Sequence, residues 1–168
     1  MNSHPTLHNP ITAHNPFNNI DITEEFESAL TAMTHGPSFL FITGKAGTGK
    51  STLLSYFRNQ TTKRIAVLAP TGVAALHIKG ETIHSFFRFK PNITIQDAYK
   101  KGCAIKNTAF YETLDIIIID EISMVRADLM DCIDHFLRGA LQTHQSFGGK
   151  RVIGIGDLYQ LPPIVGQS

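Results

Sequence analysis

The chain has 168 residues, of which 42% are hydrophobic and 17% charged. That is enough for one compact domain, too little for two of ordinary size, and too apolar for wholesale disorder. Its 15 basic and 14 acidic side chains leave a net charge of +1, so no global pull towards nucleic acid exists and any DNA binding must come from local chemistry.

In chain order, the first twenty residues come first and differ from the rest. Asn, His and Pro dominate them without periodicity, which predicts a polar, disordered arm over residues 1–20. His4, His8 and His14 fit no recognised metal spacing and have no cysteine beside them. There is no basic segment followed by an apolar one, so secretion is not expected, and no apolar run approaches the length of a membrane span. Cys103 and Cys132 are read as two reduced thiols.

Ordered structure is expected from Asp21 to the end. Asp21-x-x-Glu24 resembles a capping box, Ile22, Phe26, Leu30 and Met33 recur at helical spacing, and Gly36-Pro37 ends the helix. Short apolar runs then alternate with helical patterns. Strands are predicted over Phe39–Thr43, Arg64–Ala69, Asp115–Asp120 and Arg151–Gly156, and helices over Lys50–Arg58, Gly72–His77 and Ala127–Arg138. Four such strands separated by helices predict an α/β fold: a parallel sheet covered on both faces. Residues 90–113 carry little pattern, and a surface excursion of loops with one short helix is expected there.

Gly44-Lys45-Ala46-Gly47-Thr48-Gly49-Lys50-Ser51 fits G-x-x-x-x-G-K-[ST] directly after a strand and at the opening of a helix. Phosphates need a ring of backbone N–H groups, which glycines let the chain present, and the helix N-terminus adds partial positive charge. Gly44, Ala46, Gly47, Thr48, Gly49, Lys50, Ser51 and Thr52 are the candidate nucleotide-binding residues, with Lys50 on the β- and γ-phosphates and the Ser51 hydroxyl on Mg²⁺. The strand ending in Asp120-Glu121 supplies the complement: Asp120 holding Mg²⁺ through its water shell, and Glu121 orienting and deprotonating the attacking water. A helix N-cap is the bland alternative for that acidic pair. Gly156-Asp157 and then Gln160 close the last strand, where the Gln160 amide could lie near the γ-phosphate.

A further block follows the second strand. Thr71, Gly72, Thr82, His84 and Ser85 are small groups suited to DNA phosphates, and Phe86, Phe87 and Phe89, interleaved with Arg88 and Lys90, offer stacking faces for bases. Equally, the phenylalanines could be core and the hydroxyls caps.

Four blocks in this order, GKAGTGKST, APTGVAALHIKGETIHSFF, IIIIDEISMV and GDLYQLPPI, resemble the first RecA-like lobe of a superfamily-one DNA helicase, of the petite-integration-frequency family. Phe147-Gly148-Gly149 resembles that family's approach to the last block. The resemblance runs from about residue 20 onward and implies a P-loop NTPase that uses ATP and Mg²⁺ to move along single-stranded DNA and unwind it with 5′-to-3′ polarity. It implies a sheet whose four strands, numbered in chain order, lie as 1-4-3-2, with DNA contacts from Thr71, Gly72, Thr82, His84, Ser85 and Phe86. Two departures are visible. The adenine-reading glutamine that family members often carry ahead of the first helix has no counterpart in Ile22–Met33. The sequence also stops at Ser168, so the later arginine-bearing motifs, the second lobe and the last edge strand are expected to be missing. Feeble hydrolysis by this chain alone is then expected, and self-association through an exposed Phe39–Thr43 edge. A non-hydrolysing nucleotide- and DNA-binding module is the alternative; a P-loop metabolic kinase would not explain the TIHSFF block.

Overall fold

The computed structural model describes residues 22–45 and 47–157. Among these residues five parallel strands form one sheet: β1 (Phe39–Thr43), β2 (Ile65–Ala69), β3 (Glu81–Thr82), β4 (Ile116–Ile119) and β5 (Arg151–Gly156). Their spatial order is β1-β5-β4-β2-β3. The four strands expected from the sequence thus lie in the expected order. The two-residue β3, pairing Leu68 and Ala69 with Glu81 and Thr82, is an addition that no apolar run announced.

Among the described residues seven α-helices cover the two faces: α1 (Glu24–His35), α2 (Lys50–Gln60), α3 (Gly72–His77), α4 (Ile83–Phe87), α5 (Ile95–Cys103), α6 (Ala109–Thr113) and α7 (Ala127–Leu141). The central strands β2, β4 and β5 are buried on both sides, and their two-residue alternation divides the core. Ala66, Leu68, Ile117, Ile119 and Val152 face a cluster with Ile83, Phe87 and Phe89 and with Ile133, Phe136 and Leu137 of α7. Val67, Ala69, Ile116, Ile118, Ile153 and Ile155 face Met33 of α1, Leu53, Leu54 and Phe57 of α2, and Ala75 of α3.

Helix α1 starts two residues later than the sequence suggested. Thr23, not Asp21, is the N-cap, and its hydroxyl accepts from the Phe26 N–H at 3.2 Å. The helix ends at Gly36 as expected. Arg151 fastens that end to the sheet: its Nε donates to the Pro37 carbonyl at 2.9 Å, its Nη1 to Met33 at 2.5 Å, and its Nη2 to Ala32.

Residues 90–113 hold two helices where one was expected; most of the segment is exposed, as the sequence suggested, with Ala98, Gly102 and Tyr111 buried. Thr94 caps α5, accepting from the Asp97 N–H at 3.2 Å while its hydroxyl donates to the Asp97 carboxylate at 2.8 Å. α5 then crosses α7 at glycines. A Cβ on Gly139 would stand 2.6 Å from the Tyr99 carbonyl oxygen, and one on Gly102 would meet the Phe136 carbonyl. Small residues at both crossing points let the two backbones touch, so burial here needs no large apolar side chain.

Candidate nucleotide site at the sheet's carboxyl edge

Strand β1 ends at Thr43 and runs straight into the glycine-rich loop. The Gly44 N–H donates to the Gly156 carbonyl at 3.3 Å, fastening the loop's first residue to β5. Gly47 and Gly49 have φ of 79° and 83°, left-handed conformations that favour glycine, and no atom lies within 4 Å of where a Cβ would stand. The Thr48 hydroxyl donates to the Lys45 carbonyl at 2.8 Å and closes the turn. Helix α2 therefore begins at Lys50 with no side-chain cap, leaving its first N–H groups pointing into the loop. The Lys50 ammonium donates to the carbonyls of Gly44 at 2.5 Å and Lys45 at 2.8 Å, so the cation is held over the loop by backbone oxygens.

The acidic pair arrives from the neighbouring side. β4 delivers Asp120 buried, its N–H donating to the Leu68 carbonyl at 2.9 Å. Burial pushes the Asp120 carboxyl up from its ordinary value, opposed by a hydrogen bond from the Glu121 N–H and by the charges of His77 and Lys50. Glu121 sits in the left-handed region at φ 51°, ψ 42°, a costly place for a residue with a side chain. The turn after it, Ile122–Met124, lies close on β5: a Cβ on Gly156 would stand 3.0 Å from Ile122 and 3.2 Å from its backbone nitrogen. Ser51, Thr71, His77, Asp120 and Glu121 line one open cleft of about 440 Å³. Its chemistry fits a phosphate-bound Mg²⁺, which takes one or two protein oxygens and otherwise keeps water and phosphate. Among the described residues no cluster of three His, Cys, Asp or Glu side chains could hold a metal unaided.

The structure thus brings together Lys50, Ser51, Asp120 and Glu121. Ala46 and Gln160 lie outside the described residues, as do His4, His8 and His14. His77 was not anticipated, although Thr71, Ala74 and His77 recur at helical spacing and share the cleft-facing side of α3.

The TIHSFF block divides between the two sequence readings. The Thr71 hydroxyl accepts from the Ala74 N–H and caps α3, and that of Thr82 accepts from the Ser85 N–H and caps α4. Ser85 donates to Glu81 at 3.4 Å. Gly72 and Ser85 are exposed and His84 half-buried; they follow the carboxyl ends of β2 and β3, whereas the phosphate loop follows β1 at the other edge of the sheet. The stacking role fails for Phe87 and Phe89, which are 1% and 6% exposed and pack on Phe136. Phe86 is half-buried among Phe87, Phe110 and Tyr111. Hydrophobic demand from the sheet face took these rings into the core.

Comparison with known proteins follows the same lines. The PIF1-like helicase family matches residues 20–168. The ATP-dependent DNA helicase PIF1 of Saccharomyces cerevisiae is 37% identical over 167 residues, covering 89% of this chain and 19% of the relative. Human PIF1 is 38% identical over 149 residues, covering 85% of this chain and 22% of the relative. A crystal structure of the Bacteroides Pif1 helicase in complex with ADP-AlF3 and single-stranded DNA superposes with a TM-score of 0.77 at 37% identity, covering 89% of this chain and 35% of that one. The chain spans about a fifth of these two curated relatives and about a third of the solved protein. With its sheet order, phosphate loop and acidic strand end in place, the chain belongs to the PIF1-like helicase family.

Proposed function

We propose that this chain is the nucleotide-binding motor lobe of an ATP-dependent DNA helicase, which binds Mg-ATP and single-stranded DNA. The observation that carries the reading is the meeting of Lys50, Ser51 and the buried Asp120 with Glu121 at one sheet edge. Gly44, Ala46, Gly47, Thr48, Gly49 and Thr52 would cradle the phosphates through backbone N–H groups and the α2 N-terminus. Lys50 would exchange its two carbonyl partners for oxygens of the β- and γ-phosphates. Ser51 Oγ, and Asp120 through water, would hold Mg²⁺, which when bound neutralises phosphate charge. Glu121 would take the proton of the attacking water, and Gln160 retains its expected place near the γ-phosphate.

Turnover by this chain alone is proposed to be slow. Among the described residues no arginine lines the Asp120–Glu121 cleft, and a positioned guanidinium is worth roughly 10³–10⁵ in rate in related phosphoryl transfers. Single-stranded DNA is proposed to lie along Thr71, Gly72, Thr82, His84, Ser85 and Phe86. Contacts there would be mainly to phosphate, with a salt dependence set by Arg88, Lys101 and Lys106, which line one pocket with Ser85 and Phe86. Directional 5′-to-3′ unwinding belongs to a complete two-lobed protein. Support comes from the relatives' names as ATP-dependent DNA helicases and from the Bacteroides protein's complex with ADP-AlF3 and single-stranded DNA.

Calorimetry with Mg-ADP on wild type and Lys50→Ala tests the site. Loss of binding by about a hundredfold or more is expected from removing a charge-assisted phosphate contact, and unchanged affinity would remove the assignment. Glu121→Gln should bind nucleotide normally and lose about 10²–10³ of whatever hydrolysis remains.

A further inference from the structure

The edge of the sheet away from the phosphate loop is only half covered. β3 pairs with β2 at Leu68 and Ala69 alone, so among the described residues Ile65, Ala66 and Val67 have no strand beside them on that side. The Arg64 and Leu68 carbonyls accept from the Ile116 and Asp120 N–H groups, which turns those residues' main chain towards β4. Main-chain groups alternate along a parallel strand, so those of Ile65 and Val67 point the other way. Gly80 closes the upper end of this free stretch: a Cβ there would stand 2.3 Å from the Val67 carbonyl oxygen. Below it, the N–H and C=O of Ile65 and the N–H of Val67 face an open groove of about 550 Å³. Arg64 before β2 and Leu114 before β4 put its far end at the amino side of the sheet, away from the nucleotide cleft.

We propose that this groove binds an extended segment of a partner protein, with apolar and acidic residues alternating, as a strand added below β3. A strand edge presents main-chain donors and acceptors together. A phosphate only accepts and leaves the Ile65 carbonyl unused, whereas a polypeptide backbone answers both. The two walls differ. Ala66 and Leu68 turn to the face that holds Leu114 and Phe86, and Phe110, 56% exposed and 5.7 Å from the Phe86 ring, extends that apolar wall. Ile65 and Val67 turn to the face of Ile78, where Arg58 and Lys79 line the groove. The Ile78 carbonyl accepts from Arg58 at 2.6 Å and holds the guanidinium there. Among the described residues lining the groove, Arg58, Arg64 and Lys79 are cations, and Glu81, at the β3 end, is the one acid. Side chains of an added strand alternate between these walls, so every second residue meets Phe110 and the residues between meet the cations. Three free positions span about 10 Å, so main-chain bonds are few and the walls carry the selection.

Fluorescence anisotropy of a labelled, end-blocked Glu-Leu-Glu-Leu-Glu peptide on the 168-residue chain tests the proposal. The peptide should bind, and its Lys-Leu-Lys-Leu-Lys counterpart should bind about tenfold more weakly or worse. No binding of the acidic peptide up to about 1 mM overturns the proposal. Arg64 and Lys79 are exposed, so the double variant Arg64→Glu/Lys79→Glu should fold, with circular dichroism as the check. It should weaken the acidic peptide about tenfold and strengthen the lysine peptide, since two attractions become repulsions. Unchanged affinities in the folded variant would show that the peptide sits elsewhere. N-methylation tests strand pairing directly. Methylating either the leucine or the glutamate amides should abolish binding while the other pattern is tolerated, because only alternate N–H groups face β2. Equal effects of the two patterns would exclude an added strand. An oligothymidylate that competes with the peptide on wild type, and loses about tenfold or more on the double variant, would make the groove a nucleic-acid surface and sink the peptide assignment.

Discussion

Asp120 shows how a single residue carries a cost for the sake of the site. It stands at the end of a strand of four isoleucines, buried, with its carboxyl raised above the ordinary range chiefly by lost hydration. A raised native-state value means that protonation favours folding. That stability is fully present below the unfolded-state value and is lost as pH rises through the native-state value. Above that value Asp120 is therefore a buried charge that works against the fold. Asp120→Asn should raise the Tm of the nucleotide-free chain at pH 7, and the gap should close in acid as the wild-type carboxyl takes up its own proton. The same substitution should weaken Mg-ADP binding by about tenfold or more, as removal of outer-shell metal partners does. Thermal melts at two pH values with calorimetry check both halves; a lower Tm at pH 7 would show that the carboxylate's hydrogen bond from the Glu121 N–H outweighs its desolvation. At this scale the sequence was informative. Lys50, Ser51, Asp120 and Glu121 fall in short local patterns whose chemistry is fixed by spacing. His77 was not legible, because its place in the cleft arises only when separate elements meet.

Among the elements, α5 and α7 test what periodicity can and cannot reveal. Strands β1, β2, β4 and β5 were readable because each is a short apolar run with turn residues at its ends. α5 was not, since its buried positions are Ala98 and Gly102, residues with little hydrophobic signal. The readable mark was its cap, Thr94-x-x-Asp97, which the lysine-rich surroundings obscured. At the crossing, Gly139 has the Tyr99 carbonyl and the Cys103 backbone nitrogen within 2.6 Å and 3.1 Å of a Cβ position. Backbone atoms cannot swing aside as side chains do. Gly139→Ala should therefore cost about 2–3 kcal/mol through overpacking, read as a lower urea midpoint with nucleotide affinity retained in the folded fraction. A second joint holds α1. Arg151 donates to three carbonyls at the helix end, and burial pulls its guanidinium below the usual arginine value. Arg151→Ala should destabilise by about 2 kcal/mol, within the range for hydrogen bonds to charged groups. It should also weaken nucleotide binding, because α1 forms one wall of a groove beside the phosphate loop. Loss of stability with nucleotide affinity unchanged would separate α1 from the site.

For the molecule as a whole, the sheet order leaves β1 at one edge. Among the described residues β1 pairs only with β5, from Phe39 opposite Val152 to Thr43 opposite Gly156. The opposite edge is shorter, the two-residue β3. Natural sheets blunt exposed edges with charge, proline, bulges or covering segments. β1 has neither charge nor proline, and Phe39 is 48% exposed at its start, stacked at 6.2 Å on Phe147. Phe147 is itself held by Asp134, whose carboxylate accepts the Phe147 N–H at 2.5 Å and the Arg138 guanidinium at 2.8 Å. The rim of this edge is therefore rigid as well as apolar, which favours the addition of another strand. Self-association of the 168-residue chain is expected to be concentration-dependent, visible by light scattering or sedimentation at roughly 100 µM, a strength ordinary for a small interface. Phe39→Lys places a charge at the start of the edge and removes one aromatic contact worth about 1 kcal/mol. It should return the chain to a monomer while the phosphate loop still binds Mg-ADP, because Phe39 lies at the end of β1 remote from Gly44. A wild-type chain that stays monomeric at that concentration, or a Phe39→Lys variant that associates as before, would show that β1 is not the contact.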